Sequence, residues 1–199
     1  MRPIFPRLGK WHNTTALPRH SFCCGYCGDD VCSDNGLPII ENTYPPVPHA
    51  VGGIYLCPNC DLPTYIIYSR EQFPKAKPGS AVSHVPDNLN SLYEEARECA
   101  GQGCYTAAVL LCRRLLMVAA VDRGSQEGKK FIEYVDYLSG SGLVPPNSKK
   151  WIDQIRQKGN EGAHKTPMLT EEDAYRIIKF SESLLRFLYE LPAEIDEHY

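Results

Sequence analysis

The sequence predicts a mainly α protein: a five-helix bundle preceded by a small β zinc ribbon. Three observations carry that expectation. From Asp87 onward apolar residues recur at helical spacing. Two Cys-x-x-Cys pairs, separated by 29 residues, sit in the first third of the chain. Between these regions Pro74, Pro78, Gly79 and Pro86 mark a connection rather than an element. The expected organisation is an extended basic arm over 1–22, the ribbon over 23–69, a linker over 70–86 and the helical domain over 87–199.

The 199 residues suit one domain plus a small module. A composition of 43% hydrophobic and 23% charged residues excludes a disordered or collagenous chain. No stretch approaches the ~20 consecutive apolar residues of a membrane span, so no membrane partner is expected. The basic opening segment is broken by Pro3, Pro6 and Pro18, and no apolar run follows it. A secretory leader is therefore not expected, and the cytoplasm is the expected address. In that compartment nine cysteines point to metal ligands rather than disulfides. Net charge is −3, which offers nucleic acid no bulk attraction. Residues 1–28 carry Arg2, Arg7, Lys10 and Arg19 without an acid, so any contact with RNA or DNA would be local.

In the ribbon, Gly53-Ile54-Tyr55-Leu56 and Tyr65-Ile66-Ile67-Tyr68 read as short strands, and Thr43-Tyr44-Pro45-Pro46-Val47-Pro48 excludes helix. The first knuckle is Cys24-Gly25-Tyr26-Cys27-Gly28 and the second Cys57-Pro58-Asn59-Cys60-Asp61. Two residues between thiolates let one turn present both sulfurs to one ion, and four soft ligands make a closed tetrahedral structural site. Cys24, Cys27, Cys57 and Cys60 are thus the expected ligands of one zinc ion. Cys23 is the alternative to Cys24, and Cys32 and His20 are lesser candidates. Gly28 permits the positive φ that such a turn takes. Cys99, Cys104 and Cys112 lie in or beside apolar helical stretches, where packing is their expected role.

The helices follow in order. Asn88–Ala100 shows an amphipathic face and ends at Gly101-Gln102-Gly103. Tyr105–Asp122 is apolar on nearly every side and is the expected central helix. Lys130–Leu138 and Ser148–His164 come next. Glu171–Leu191 opens on a capping box of Thr170 and Asp173 and is expected to stop at Pro192. In the fourth helix Arg156, Asn160 and His164 fall at i, i+4 and i+8 along one stripe. A cation, an amide and an imidazole there could hold a phosphate and move a proton. The same residues also fit a histidine at the helix C-terminus and an arginine paired with Asp153. Gly159 and Gly162 in the same helix suggest close approach of another backbone or a ligand. Of Arg113 and Arg114 on the central helix, at least one must exit the core or pair with an acid such as Glu94, Glu95 or Glu98; they form either a buried structural pair or a possible anion-binding site.

Tyr93-Glu94-Glu95-Ala96, Gly103-Cys104-Tyr105-Thr106-Ala107-Ala108, Arg113-Arg114-Leu115-Leu116 and Ile155-Arg156-Gln157-Lys158-Gly159-Asn160-Glu161-Gly162-Ala163-His164 together resemble a prokaryotic domain of unknown function of the HEPN-like helical superfamily. Such domains often follow a zinc ribbon and also occur fused to restriction-endonuclease subunits. The resemblance implies a HEPN-like helical bundle that forms a homodimer through the helical domain. Active HEPN proteins are metal-independent endoribonucleases built on an arginine, a polar residue and a histidine. By that resemblance Asn160 and His164 match the polar residue and the histidine. Gly159 stands where an arginine precedes the asparagine, and Arg156 lies one turn earlier.

The expected function is therefore a nucleic-acid- or partner-binding module of a prokaryotic defence or restriction-type system, without robust catalysis. One alternative is an endoribonuclease, toxin or antiviral effector, with His164 as general base, Arg156 on the phosphate and Asn160 orienting the substrate. The other is a module that binds a nucleotide signal through Arg113 or Arg114 and Arg156.

Overall fold

The computed structural model describes residues 9–41, 49–68, 71–145, 147–164 and 169–197, without the side chains of 41, 49–50, 149 and 159–164. The chain divides into two compact units, Met1–Lys77 and Pro78–Tyr199. The fold is mixed α/β, about 47% helix and 21% strand, which corrects the expected mainly α class. The first unit is a five-stranded antiparallel sheet rather than a small ribbon, with strands in chain order: β1 (Thr15–Cys23), β2 (Asp30–Glu41), β3 (His49–Leu56), β4 (Pro63–Ile67) and β5 (Glu71–Phe73).

Prolines hid the first two strands. Pro18 lies in β1, an edge strand whose register shifts between Ala16 and His20, and edges and bulges are where a strand tolerates a missing N–H. Pro38 sits in β2 opposite Gly53, beyond the last β1 pair at Thr15 and Gly36, so it interrupts no β1 ladder. Residues 15–22 of the expected arm are thus strand, and β5 falls in the expected linker. The Thr43–Pro48 segment lies outside the described residues.

Direct pairing places residues on common faces of the sheet. Gly53, Tyr55 and Ile66 share the face that meets Leu17, Phe22 and Val31 in a small core. The other face carries a transverse row of cross-strand neighbours, Leu37, Ile54, Tyr65 and Phe73, one from each of four strands. Tyr65 and Phe73 are 39% and 59% exposed, and Leu37 and Ile54 are half-buried. Antiparallel sheets normally turn polar residues to water. This sheet is apolar on both faces.

The second unit contains α1 (Asp87–Gly101), α2 (Tyr105–Asp122), α3 (Phe131–Gly140), α4 (Lys149–His164) and α5 (Glu171–Leu185). α2 is central and packs against the other four. Its Ala108, Val109, Cys112, Leu115, Leu116, Ala119 and Ala120 are all fully buried. α5 begins at the capping box: Thr170 Oγ1 accepts from the Asp173 N–H at 3.2 Å, and the Asp173 carboxylate accepts from the Thr170 N–H at 3.2 Å. Donation from the Thr170 N–H and hydroxyl, together with Lys158, holds the Asp173 carboxyl below its usual range, although burial acts to raise it.

Pro192 does not stop the last helix. After α5 the chain widens into one π-helical stretch, Arg186–Glu190, and continues as α6 (Leu191–Asp196) with Pro192 in its first turn. The ring removes the donor that would reach the Leu188 carbonyl four residues back. Arg123, just after α2, supplies a substitute, its guanidinium donating to the Leu188 oxygen. The same guanidinium stacks 4.3 Å from the Tyr189 ring centroid, and Tyr189 Oη donates to Asp122 at 2.7 Å. Arg123→Met should therefore cost about 1.5–3 kcal/mol, the scale of a hydrogen bond from a charged donor, read by thermal unfolding. An unchanged melting temperature would refute that account of the helix extension.

Candidate functional site

The two knuckles repeat one turn. In the first, the Cys24 N–H donates to the Asp29 carbonyl and Gly28 N–H to the Cys24 carbonyl, both at 2.9 Å. In the second, the Cys57 N–H donates to Leu62 at 3.0 Å and the Asp61 N–H to Cys57 at 2.8 Å. The residue four places after each first cysteine has a positive φ, +81° at Gly28 and +64° at Asp61. Glycine takes that conformation freely, and Asp is among the few other residues that tolerate it.

β1 leads into the first turn and β2 leaves it, while β3 and β4 flank the second, so the sheet brings the two knuckles together. The Sγ atoms of Cys24, Cys27, Cys57 and Cys60 all lie within 4.8 Å of one another. Cys24 and Cys60 are 3.7 Å apart, and Cys27 and Cys57 are 3.8 Å apart. A disulfide needs about 2.05 Å. These are four separate thiols around one point, and they could bind a metal ion.

Burial pushes the Cys60 thiol up to about 11 and raises that of Cys27 further. Burial also acts to raise Cys57, but the backbone N–H groups of Cys60 and Asn59 at its sulfur bring it below the ordinary thiol range.

The neighbouring candidates lie apart from this cluster. The Cys23 thiol donates to the Gly28 carbonyl at 3.4 Å, so Cys24 is the member from that pair. Cys32 is exposed on β2, where Arg19 Nε donates to its sulfur at 3.2 Å; contacts with Ser21 and then Arg19 lower its thiol pKa. His20 stands beside Tyr55, with ring centroids 5.6 Å apart.

Several supports of the turns escaped sequence reasoning. A Cβ at Gly25 would meet the Lys75 carbonyl oxygen at 2.7 Å, so only glycine admits the segment after β5. Gln72 Nε2 donates to the Cys23 and Pro74 carbonyls at 2.7 and 3.0 Å. Asn59 Nδ2 donates to Asp29 at 3.1 Å, tying one knuckle to the other, and Trp11 Nε1 donates to the Asp61 carbonyl at 2.9 Å. Glycine within a Cys-Gly-x-Cys-Gly string was the one available signal; the rest depend on strand pairing.

On α4, Ile152 and Ile155 are buried in the helical core. Arg156 is about half-exposed and pairs with Asp153 at 3.3 Å. Asn160 and His164 lie within α4 by backbone, and their side chains lie outside the described residues. Arg113 stacks 4.4 Å from the Phe131 ring centroid, and burial lowers its pKa, while Arg114 is exposed. Cys112 is fully buried and its thiol is pushed up to about 12 by desolvation, as a packing residue should be. Cys99 is half-buried. Cys104, by contrast, is exposed at the start of α2.

Among the described residues no helix is long and apolar enough to cross a membrane. A family model described as a domain of unknown function (DUF4145) matches residues 94–198, slightly more than half of the chain. No curated protein and no solved structure matches.

Proposed function

This chain belongs to the DUF4145 family, and from that premise we propose that it is a binding module whose zinc-held sheet docks a protein partner. The observation that carries the proposal is the transverse row Leu37, Ile54, Tyr65 and Phe73 on the sheet face opposite the small core. Apolar and aromatic side chains gathered on an exposed face mark an interaction surface. Aromatic residues in particular are enriched at protein interfaces.

The donor set supports zinc. Four thiolates are its usual structural ligands, and bonds of about 2.3 Å in a tetrahedron separate the sulfurs by ~3.8 Å. Two of the separations, 3.7 and 3.8 Å, agree with that edge. Four cysteines leave no position open for substrate, so the metal's role is to hold the sheet. Charge favours protein over nucleic acid as the partner. Residues 1–77 carry seven Lys or Arg against six Asp or Glu, and four thiolates on one divalent ion add two negative charges. Nucleic-acid binding draws on an excess of positive charge, and the composition of this unit supplies little.

The HEPN-like resemblance supports a homodimeric helical domain and a place in a prokaryotic defence or restriction-type system. The Arg156–Asp153 pair fits the non-catalytic reading of α4.

The test is recovery of partners from producing cells with wild-type chain and with Tyr65→Ser/Phe73→Ser, followed by reconstitution from purified components. A partner that binds wild type and loses about tenfold or more in affinity for the variant supports the proposal. Equal binding by the variant, or single-stranded RNA as the species whose affinity falls, would overturn it.

A further inference from the structure

The helical unit carries an open cleft of about 510 Å3, formed by the α3–α4 connection, the first turn of α4 and one side of α5. The spacing on α5 creates its longer wall. Tyr175 and Lys179 are four residues apart, and Arg176 and Phe180 each follow by one, so all four lie along one stripe. Trp151 supplies the α4 wall and is 43% exposed, and Asn147 lies at the connection. Phe180 is buried.

We propose that this cleft binds a nucleoside phosphate, with the base against the aromatic walls and the phosphate held by Arg176 and Lys179. Among the described residues the lining includes three aromatic side chains, two cations and no carboxylate. That is unusual in a unit whose residues 78–199 hold 18 acidic and 14 basic side chains. Flat π-surfaces accept any base, and an arginine fork with a lysine ammonium suits phosphate oxygens. The volume lies within the range of small-molecule sites.

In the structure Arg176 pairs with Glu172, and Lys179 Nζ with Glu182 at 3.0 Å. Both cations are well exposed; the Arg176–Glu172 pair is exposed on both sides and contributes little. Glu182 is buried but also pairs with Arg186 at 3.3 Å, so Lys179 can turn to a phosphate without leaving that carboxylate unpaired. The same base-and-phosphate chemistry is offered by a free mononucleotide and by a nucleotide at the end of a single strand. This site shares no residue with the sheet row, so either proposal can fail without the other.

The experiment uses the full chain carrying Trp11→Phe, which leaves Trp151 as the sole indole. Its fluorescence is titrated with AMP, with adenosine, with inorganic phosphate and with a 5′-phosphorylated hexanucleotide. Saturable quenching by AMP is expected, with affinity about tenfold weaker for adenosine and about tenfold weaker in Arg176→Ala/Lys179→Ala. A hexanucleotide that binds more tightly than AMP assigns the site to strand ends; one that binds equally or less tightly assigns it to free nucleotide. The indole N–H resonance of Trp151 in wild type, identified through Trp151→Phe, gives the same reading should Trp11→Phe disturb the fold. No saturable change with AMP or hexanucleotide, or unchanged affinity in the double alanine variant, would overturn the proposal.

Discussion

Purified chain is expected to carry one zinc ion, and a chelator that removes it should unfold the sheet while the helices stay folded. The two units have separate hydrophobic cores. That of the sheet unit consists of Leu17, Phe22, Val31, Tyr55 and Ile66, together with the ligands Cys24 and Cys57. So small a core cannot hold five strands alone. Structural zinc in comparable small modules contributes about 10–16 kcal/mol of apparent binding free energy at pH 7, which here becomes folding free energy. Cys57→Ser should reproduce the effect of the chelator, whereas Cys32→Ser, on an exposed strand position outside the cluster, should leave the melting profile unchanged.

Acid should act in the same direction as the chelator. Each thiol must lose its proton to bind the ion, and burial makes Cys27 and Cys60 hold theirs more firmly than an ordinary thiol. The loaded form therefore carries fewer protons than the empty one, so metal affinity falls as pH falls. Metal content and amide protection of β3 and β4, followed together, should decline in step. A metal-free chain that keeps full protection of those strands would show that the ion is not what holds the sheet.

The helices are legible because apolar residues persist through local interruptions: α2 is apolar on nearly every side despite Arg113 and Arg114, and its bounds, Tyr105–Asp122, follow from the sequence. The cysteine cluster was legible because a Cys-x-x-Cys turn constrains its own geometry. The sheet was not, since β1 and β2 carry prolines and polar residues that are compatible with a strand only once edge position and register are known. Nor could Pro192 be read correctly. Its effect depends on a π-helical widening and on Arg123, which lies 69 positions away in sequence. Arg113 and Arg114 form one string in the sequence and part on the helix, where one stacks on Phe131 and the other is exposed.

Arg97 shows the same limit with a larger consequence, because nothing in its sequence context marks it as a core residue. It is instead 6% exposed. Its Nη1 donates to Glu94 Oε1 at 2.6 Å, its Nε to the Pro78 carbonyl at 2.9 Å and its Nη2 to the Gly79 carbonyl at 2.8 Å. The guanidinium also lies 5.6 Å from the Tyr93 ring centroid, and Tyr93 Oη donates to the Ser80 carbonyl at 3.0 Å. Gly79 has a φ of +74°, and a Cβ there would come within 2.6 Å of Tyr93 Oη, so the segment entering the helical unit fits this clamp only as glycine. Arg97→Met should cost about 3–5 kcal/mol, since it removes one partner of a buried pair and strips two carbonyls of their donor. For a unit of this size that is a fall of roughly 10–20 °C in the melting temperature of the helices. Arg97→Lys keeps the charge but cannot reach three acceptors in fork geometry, and should lose part of that stability. The pairing itself is tested by Arg97→Met/Glu94→Leu. If the cost arises from an uncompensated carboxylate, the double variant recovers a large share of the loss; if it arises from the two loop carbonyls, the double variant is no more stable than Arg97→Met. A melting temperature for Arg97→Met within a degree or two of wild type would mean that the clamp does not hold this segment at all.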